Sequence, residues 1–166
     1  MKERLINLFG ESNLKKIKNT HILLVGIGGV GSFCFETLIR CGVENITVID
    51  FDTYEESNLN RQLYATLDSL GKKKIDTALA RAKSINENVN INVLDTFLDF
   101  NSDFDFSSYD YIIDACDSVP AKANLIINAK KYNKKIIVSL GIGNRVCPEL
   151  VCKSTLKESL SDPLGK

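Results

Sequence analysis

Four glycines between residues 26 and 31 form the first pattern in the sequence that could do chemistry. Gly26, Gly28, Gly29 and Gly31 lie in the segment GIGGVG, directly after an apolar run and before a helical pattern. Glycines in this context form a tight turn whose N–H groups, with the positive end of the helix dipole, bind phosphate. Asp50 follows nineteen residues after Gly31, where an acid can accept hydrogen bonds from a ribose. The pattern predicts an adenosine nucleotide without deciding between NAD and ATP.

A polar loop with the sequence SNLNRQ spans residues 57–62 and follows the second apolar run. Doubly wound folds bind ligands in loops at the carboxyl ends of their strands, and Arg61 can fork onto phosphate oxygens there. Three lysines, Lys72 to Lys74, then open a predicted helix. Cations oppose the helix dipole at that end, which indicates a function for at least one of them. We expect Lys72 and Lys73 to be solvated.

The last such pattern, DACDS, spans residues 114–118 at the end of the fourth predicted strand. Asp117 is well positioned to hold Mg²⁺ through oxygen, with the nucleotide completing the coordination shell. Asp114 is expected to support the structure. Cys116 could be a nucleophile, but the single histidine, His21, stands at a strand start, which argues against a Cys–His or Ser–His–Asp pair.

Alternating strands and helices must position these residues. The apolar patterns predict strands and helices in turn, the strands over 21–25, 46–50, 90–94, 110–115 and 135–140, and the helices over 2–9, 11–18, 30–41, 72–85 and 120–132. This alternation is typical of βαβ units with right-handed crossovers. We therefore expect an α/β fold, a Rossmann-like doubly wound and mostly parallel sheet with helices on both faces.

The composition excludes several classes of protein. The 166 residues are 44% hydrophobic and carry 21 basic and 21 acidic side chains, so any nucleic-acid contact must be a local patch. The candidate patch has six cations, Lys122, Lys130, Lys131, Lys134, Lys135 and Arg145. The N-terminus does not resemble a secretory signal, and no window is apolar enough to span a membrane. Five cysteines without a CxxC motif favour reduced thiols in the cytoplasm over structural zinc.

Together these motifs resemble the ThiF/MoeB/HesA superfamily of ATP-dependent adenylating enzymes, in both order and spacing. The resemblance implies ATP and Mg²⁺ as cofactors, with Asp117 as the metal ligand. It implies catalytic roles for Arg61, Lys74, Asp117 and Arg4. Arg4 matches an N-terminal arginine that reaches the ATP site of the other subunit in homodimers of this superfamily. The implied nucleotide-binding residues are Gly26, Gly28, Gly29, Gly31, Asp50, Asp52, Ser57, Asn58, Arg61, Lys74, Asp117 and Ser118.

Within the superfamily the sequence most resembles the tRNA threonylcarbamoyladenosine dehydratase branch. The likeness is carried by five segments, residues 4–11, 28–32, 139–145, 148 and 162–164. It implies that ATP adenylates the side-chain carboxylate of N6-threonylcarbamoyladenosine next to a tRNA anticodon. The product then cyclises with net loss of water. The cyclising nucleophile belongs to the substrate, so no cysteine of the enzyme is required.

The same resemblance suggests how the chain is divided. Residues 1–20 would form an N-terminal helical arm, 21–145 the ATP-binding adenylating domain, and 146–166 the start of a C-terminal extension. Family members usually continue well past the Asp-Pro-Leu segment at 162–164, whereas this sequence ends at Lys166. Cys147 stands where the family often has Asp.

Three alternatives stay open at this point. The protein could activate the C-terminal carboxylate of a ubiquitin-like sulfur-carrier protein, which would be its partner. It could be an NAD-binding oxidoreductase, which explains the glycines and Asp50 but leaves Arg61, Lys74 and Asp117 unexplained. It could also be a non-catalytic partner subunit that keeps the fold and contributes Arg4.

Overall fold

The computed structural model describes residues 2–141, 146–159 and 162. Within them a five-stranded parallel sheet has the strand order β3–β2–β1–β4–β5. The strands are β1 His21–Val25, β2 Asn45–Ile49, β3 Asn90–Leu94, β4 Tyr111–Asp114 and β5 Lys135–Val138. The helices are α1 Lys2–Phe9, α2 Glu11–Asn19, α3 Gly31–Arg40, α4 Lys74–Ile85 and α5 Val119–Lys131. The predicted α/β, doubly wound fold is confirmed.

Two hydrophobic clusters cover the two faces of the sheet. Ile22 and Leu24 of β1 belong to the cluster formed with α3 and α4, whereas Leu23 and Val25 belong to the cluster formed with α5. All four side chains are buried. This explains why β1 appears in the sequence as an unbroken apolar run, since a central parallel strand is covered on both sides. In the described residues no helix is long and apolar enough to cross a bilayer.

The strand order reverses between β1 and β4, and this reversal positions the candidate site. Val25 pairs with Asp114 at the carboxyl ends of these two strands. The glycine turn after β1 and the DACDS segment after β4 therefore begin side by side. Open α/β sheets bind ligands in the crevice at such a reversal.

Helix α4 begins at Lys74, two residues later than the sequence pattern predicts. Lys73 forms an antiparallel bridge with Thr53, and the carbonyl of Lys72 accepts a hydrogen bond from the N–H of Tyr54. These backbone contacts hold both lysines in an extended segment. Of the three lysines only Lys74 lies in the first turn of the helix, so the conflict with the helix dipole is limited to one residue.

Candidate functional site

A cavity of about 540 Å³ opens at the carboxyl edge of the sheet, where the strand order reverses. The glycine turn, the ends of β2, β4 and β5 and the loop after β3 form its walls. The structure brings nine of the predicted site residues to its lining, namely Gly26, Gly28, Gly29, Asp50, Asp52, Arg61, Lys74, Asp117 and Ser118. The other four, Arg4, Gly31, Ser57 and Asn58, do not line it.

The glycines of the turn divide into two kinds. A Cβ placed on Gly31 would lie 1.8 Å from the carbonyl oxygen of Gly26, and Gly26 itself has φ +92° with a Cβ position 2.8 Å from the Ala115 oxygen. Both glycines are therefore required for close packing of the turn. At Gly28 and Gly29 the nearest atoms to such a Cβ lie at the ordinary contact distances of 3.9 and 3.4 Å, and both residues line the cavity.

Helix α3 starts beside this cavity without a side-chain cap. Its N-cap residue is Val30, which makes no side-chain hydrogen bond to the first turn. The first N–H groups of a helix have no partner within the helix, and with the helix dipole they favour an anion. The cavity beside Gly28 and Gly29 and the uncapped helix end thus fit a phosphate group.

Asp50 joins the end of β2 to the glycine turn. Its carboxylate accepts the N–H of Ile27 at 2.7 Å and the N–H of Asp52 at 2.9 Å, and the residue is 9% exposed. Burial raises the pKa of Asp50, while the two N–H bonds and the charge of Lys74 act in the opposite direction. Each carboxylate oxygen has a second lone pair, so Asp50 can brace the turn and still accept a ribose hydroxyl.

Lys74 places a cation in the cavity wall. The residue is 5% exposed, and its Nζ donates to Oδ2 of Asp52 at 2.9 Å. Asp52 is much more open, with its side chain 46% exposed. An ammonium group has three donor hydrogens, so Lys74 can contact a phosphate and Asp52 together.

The polar loop positions Arg61 over the glycine turn. The Arg61 side chain is exposed and its Cγ lies 3.4 Å from a Cβ placed on Gly29. Its Nη1 donates to the carbonyl of Ser57 at 2.9 Å. Asn58 is buried, its Oδ1 accepts the N–H of Glu55, and its carbonyl accepts the N–H of Arg61. Ser57 and Asn58 therefore shape the loop that carries Arg61, which differs from the direct binding expected of them.

Gln62 is a cavity residue that the sequence did not single out. It is 7% exposed, and its Oε1 is buried without a hydrogen-bond partner among the described residues. Its Nε2 is the nearest atom to a Cβ placed on Gly28, at 3.9 Å. A buried amide oxygen without a partner costs about 1–3 kcal/mol. Its position directly after Arg61 is the one sequence signal that could have drawn attention to it.

Asp114 has the supporting role predicted for it. The residue is fully buried, and its two oxygens lie 3.1 and 3.2 Å from Nζ of Lys122, which also donates to the Ser139 carbonyl at 2.7 Å. Lys122 is 3% exposed. Its assignment to a surface patch for nucleic acid is wrong, because the ammonium lies inside the protein as the partner of Asp114. Arg145, another member of that patch, lies outside the described residues.

Cys116 is poorly suited to be a nucleophile. Its Sγ lies 3.0 Å from Oδ1 of Asp114 and donates to it. Burial, followed by the charge of Asp114, raises the pKa of Cys116 to about 12. The thiol is therefore protonated at neutral pH, and a protonated thiol is a weak nucleophile.

Asp117 offers an exposed carboxylate at the mouth of the cavity. The next residue, Ser118, caps α5 by accepting the N–H of Ala121 at 3.4 Å. Across residues 2–141, 146–159 and 162, no three His, Cys, Asp or Glu side chains come together as a metal site. A cation at Asp117 would therefore take most of its oxygen ligands from a nucleotide and water, which suits Mg²⁺.

Two aromatic rings form the wall opposite the end of β4. Phe51 and Phe97 pack edge to face with ring centres 5.0 Å apart, and both line the cavity while about half exposed. Lys73 ties their two loops together, since its Nζ donates to the Phe51 carbonyl at 2.9 Å and to Asp95 at 3.0 Å. Lys73 stays partly solvated as expected, with its side chain 39% exposed, and in addition makes these two contacts.

Arg4 lies on the exposed side of α1, away from the cavity of its own chain. Leu5 of the same helix and Leu14 of α2 pack near Gly42, at the end of α3. The role expected of Arg4 in a second subunit stays a prediction.

This fold is that of a known class of proteins. The chain belongs to the ThiF family, whose model matches residues 2–146. It is 36% identical over 159 residues to the tRNA threonylcarbamoyladenosine dehydratase of Haemophilus influenzae, an alignment that covers 95% of this chain and 61% of that protein. It is 31% identical over 131 residues to the adenylyltransferase and sulfurtransferase UBA4 of Vanderwaltozyma polyspora, covering 78% of this chain and 30% of that protein.

The solved structures that it resembles include a nucleotide complex. The crystal structure of E. coli tRNA N6-threonylcarbamoyladenosine dehydratase with AMP superposes with a TM-score of 0.94 at 34% identity, covering 98% of this chain and 68% of that one. The complex of the same E. coli enzyme with ATP has a TM-score of 0.91 at 33% identity and covers the same shares. The chain spans about three fifths of the length of the curated dehydratases that it matches.

Proposed function

We propose that this protein uses ATP to adenylate a carboxylate, and that its substrate is N6-threonylcarbamoyladenosine next to a tRNA anticodon. The observation that carries the proposal is the lining of one cavity by Gly28 and Gly29 of the turn, by two cations at Arg61 and Lys74, and by the open carboxylate of Asp117. The dehydratases that the chain matches, and the ATP and AMP complexes of one of them, support the same conclusion.

In this proposal each part of ATP has a partner in the cavity. The phosphates lie over Gly28, Gly29 and the start of α3, with Arg61 and Lys74 beside them. Asp50 accepts a ribose hydroxyl, and the Phe51–Phe97 wall packs against the adenine ring. Asp117 holds Mg²⁺, which would neutralise phosphate charge when bound. Gly31, Ser57, Asn58 and Ser118 contribute through the shape of the turn, the loop and the cap of α5.

The proposed reaction needs charge stabilisation and no nucleophile from the protein. A substrate carboxylate oxygen attacks the α-phosphorus of ATP, the bond to the β-phosphate oxygen breaks, and pyrophosphate leaves. A nucleophile of the substrate itself then attacks the acyl carbon, the ring closes, and AMP leaves. Arg61 and Lys74 stabilise the negative charge that develops on the phosphates. The protonated thiol of Cys116 takes no part.

The proposal extends to the assembly and its setting. We propose a homodimer in which Arg4 reaches the ATP site of the other subunit, with tRNA as the second substrate. ATP as a substrate and five cysteines that are free thiols are both typical of the cytoplasm, where we expect the protein to work.

A second candidate function is adenylation of a sulfur-carrier protein's C-terminal carboxylate. The 31% identity to UBA4 favours it, although that likeness covers less of this chain than the dehydratase likeness does. An NAD-dependent oxidoreductase is disfavoured, because hydride transfer has no need of Arg61, Lys74 and Asp117 around the glycine turn.

One reaction tests the proposal. The purified chain is mixed with ATP, Mg²⁺ and tRNA that carries threonylcarbamoyladenosine, and the nucleosides are analysed by mild mass spectrometry alongside AMP. We expect loss of one water per AMP formed. Unchanged tRNA, together with AMP formation that requires a carrier protein ending in Gly-Gly, would establish the second candidate instead.

A further inference from the structure

A second concave surface lies at the opposite edge of the sheet, at the amino ends of β1, β4 and β5. It has a volume of about 530 Å³ and is lined by side chains from three segments of the chain. Those that matter here are Lys16, Tyr109, Asp110, Tyr111, Lys134 and Lys135. We call this surface the basic cleft.

The lysines of the basic cleft are held by contacts with a carbonyl oxygen and an aromatic ring. Lys134 donates from Nζ to the carbonyl of Ser107 at 2.6 Å, and Lys135 holds its Nζ 5.2 Å from the ring centre of Tyr111. Neither contact involves a carboxylate. Lys16 is exposed on α2. In the part of the chain that the structure describes, none of the three lysines forms an ion pair.

Two acids, Asp110 and Asp105, lie close to these lysines, and hydrogen bonds from Ser107 together with the charge of Lys134 lower the pKa of Asp105. Asp110 accepts the N–H of His21 at 2.9 Å, and Asp105 accepts the N–H of Ser107 at 2.8 Å. Lys130 and Lys131 are exposed at the end of α5, just before the turn that leads to Lys134. The net charge of the surface is therefore positive on a chain whose overall formal charge is zero.

Aromatic rings accompany the cations. Tyr109 stacks on Phe104 with ring centres 6.0 Å apart, and Tyr111 is 36% exposed beneath Lys135. Lysines for phosphates together with aromatic faces for bases are the combination that single-stranded nucleic-acid sites use. An acidic peptide would use the lysines but would have no need of the rings.

Strand β5, the outermost strand of the sheet, runs from the basic cleft at its amino end to the nucleotide cavity at its carboxyl end. Lys135, its first residue, lines the cleft, and Ser139, one residue past its end, lines the cavity. Four residue steps in a strand span about 13 Å. That length corresponds to about four stacked nucleotides at roughly 3.4 Å each.

We propose that the basic cleft binds the RNA backbone of the tRNA substrate while the modified nucleotide occupies the cavity. This inference rests on the proposed function, because it assumes that the carboxylate to be adenylated belongs to an RNA. Phosphate contacts of this kind position a nucleic acid without reading its sequence. The basic cleft therefore orients the tRNA, and the cavity selects the nucleotide.

The test measures tRNA affinity against salt concentration for the double variant K134Q/K135Q, for Lys16→Gln and for the control Lys83→Gln. Lys83 is exposed on α4 and does not line the basic cleft. Fluorescence anisotropy with labelled tRNA gives the affinity, and calorimetry with ATP reports on the cavity. Thermal melting checks that each variant is folded.

We expect the double variant to bind tRNA at least tenfold more weakly. The plot of log affinity against log salt has a negative slope, and its magnitude should decrease by about 0.7–0.9 for each lost lysine that contacts a phosphate. Lys16→Gln should decrease the magnitude of the slope by the amount expected for one phosphate contact, and Lys83→Gln should leave the slope unchanged. ATP binding should be the same in all four proteins. Retention of the wild-type slope by the double variant and by Lys16→Gln would overturn the proposal.

Two further outcomes separate this inference from the proposed function. Failure of the wild-type chain to bind tRNA, or equal competition by a polyglutamate peptide, would overturn the RNA site even if the chain forms AMP with another substrate. Lysine-dependent tRNA binding without dehydration would support the RNA site and count against the proposed reaction.

Discussion

The buried ammonium of Lys122 and the fully buried carboxylate of Asp114 face each other across the ends of β4 and α5, 3.1 Å apart. The same ammonium donates to the Ser139 carbonyl just past β5, so it links three elements beneath the cavity. Asp114 in turn accepts the backbone N–H of Cys116 at 3.2 Å. The pair therefore fixes the start of the segment that presents Asp117 to the cavity.

Breaking this pair should cost much of the stability of the fold. We expect Lys122→Met to lower the free energy of unfolding by about 3–5 kcal/mol, because it leaves an uncompensated buried carboxylate. Urea unfolding measures the change. The double variant K122M/D114N should recover part of the loss, since no isolated charge remains. A Lys122→Met protein with wild-type stability would show that the pair does not hold these elements together.

The cation and the acid at the cavity mouth should be essential for adenylation. We expect Arg61→Ala and Asp117→Ala each to reduce AMP formation by about 10²-fold or more, as loss of preorganised charge stabilisation does. Both side chains are exposed, so thermal melting should be unchanged. Arg40→Ala removes an exposed arginine that does not line the cavity and is the control. Full activity of either cavity variant would remove that residue from the mechanism.

The two kinds of glycine should fail in different ways. Gly31→Ala puts a Cβ 1.8 Å from a backbone oxygen, so we expect the protein to unfold or melt far below the wild type. Gly28→Ala finds its nearest neighbour at 3.9 Å and should fold normally but bind ATP more weakly, because the methyl group occupies phosphate space. Melting curves and ATP calorimetry on both variants separate the effects. Unaltered ATP affinity in Gly28→Ala would show that the phosphates do not bind at this turn.

The aromatic wall should contribute to nucleotide affinity. Phe97→Ala removes a ring from the cavity, and a lost aromatic contact of about 0.5–1.5 kcal/mol corresponds to roughly 2- to 12-fold weaker ATP binding. Inorganic triphosphate has no base, so its binding should not change. Phe100→Ala is the matched control, as its ring is 54% exposed in the same loop but does not line the cavity. Equal effects of the two variants would argue against a base at this wall.

A charge cluster between α3 and α4 should make stability depend on acid pH. The hydrogen bond from Arg81, helped by Arg40 and Tyr64, lowers the pKa of Glu36 to about 2. Because the folded pKa is below the unfolded value, the stabilisation is present above about pH 4.5 and is lost as the pH falls towards 2. We expect a contribution on the order of 1 kcal/mol, since the arginines are solvent-exposed and screened. The free energy of unfolding of Glu36→Gln, measured with urea, should lack this pH dependence. A pH profile identical to that of the wild type would show that the cluster is not its source.

Sequence patterns predicted the fold because the apolar runs and the glycine turn are local signals. The position of Asp50 directly after β2 and the cavity-facing Arg61 follow from the same logic, since loops after parallel strands share one edge of the sheet. Lys122 and Lys73 could not be assigned in this way. Their partners, Asp114, Asp95 and two backbone carbonyls, depend on which segments the fold brings together. Gln62 was overlooked because an unpaired buried oxygen is a property of packing alone.

The contact between Lys74 and Asp52 has a consequence for turnover. The buried ammonium has a carboxylate 2.9 Å away, and that carboxylate is half open to solvent. In the proposed adenylation, we infer that Asp52 serves as the counter-ion of Lys74 before the phosphates bind and after pyrophosphate leaves.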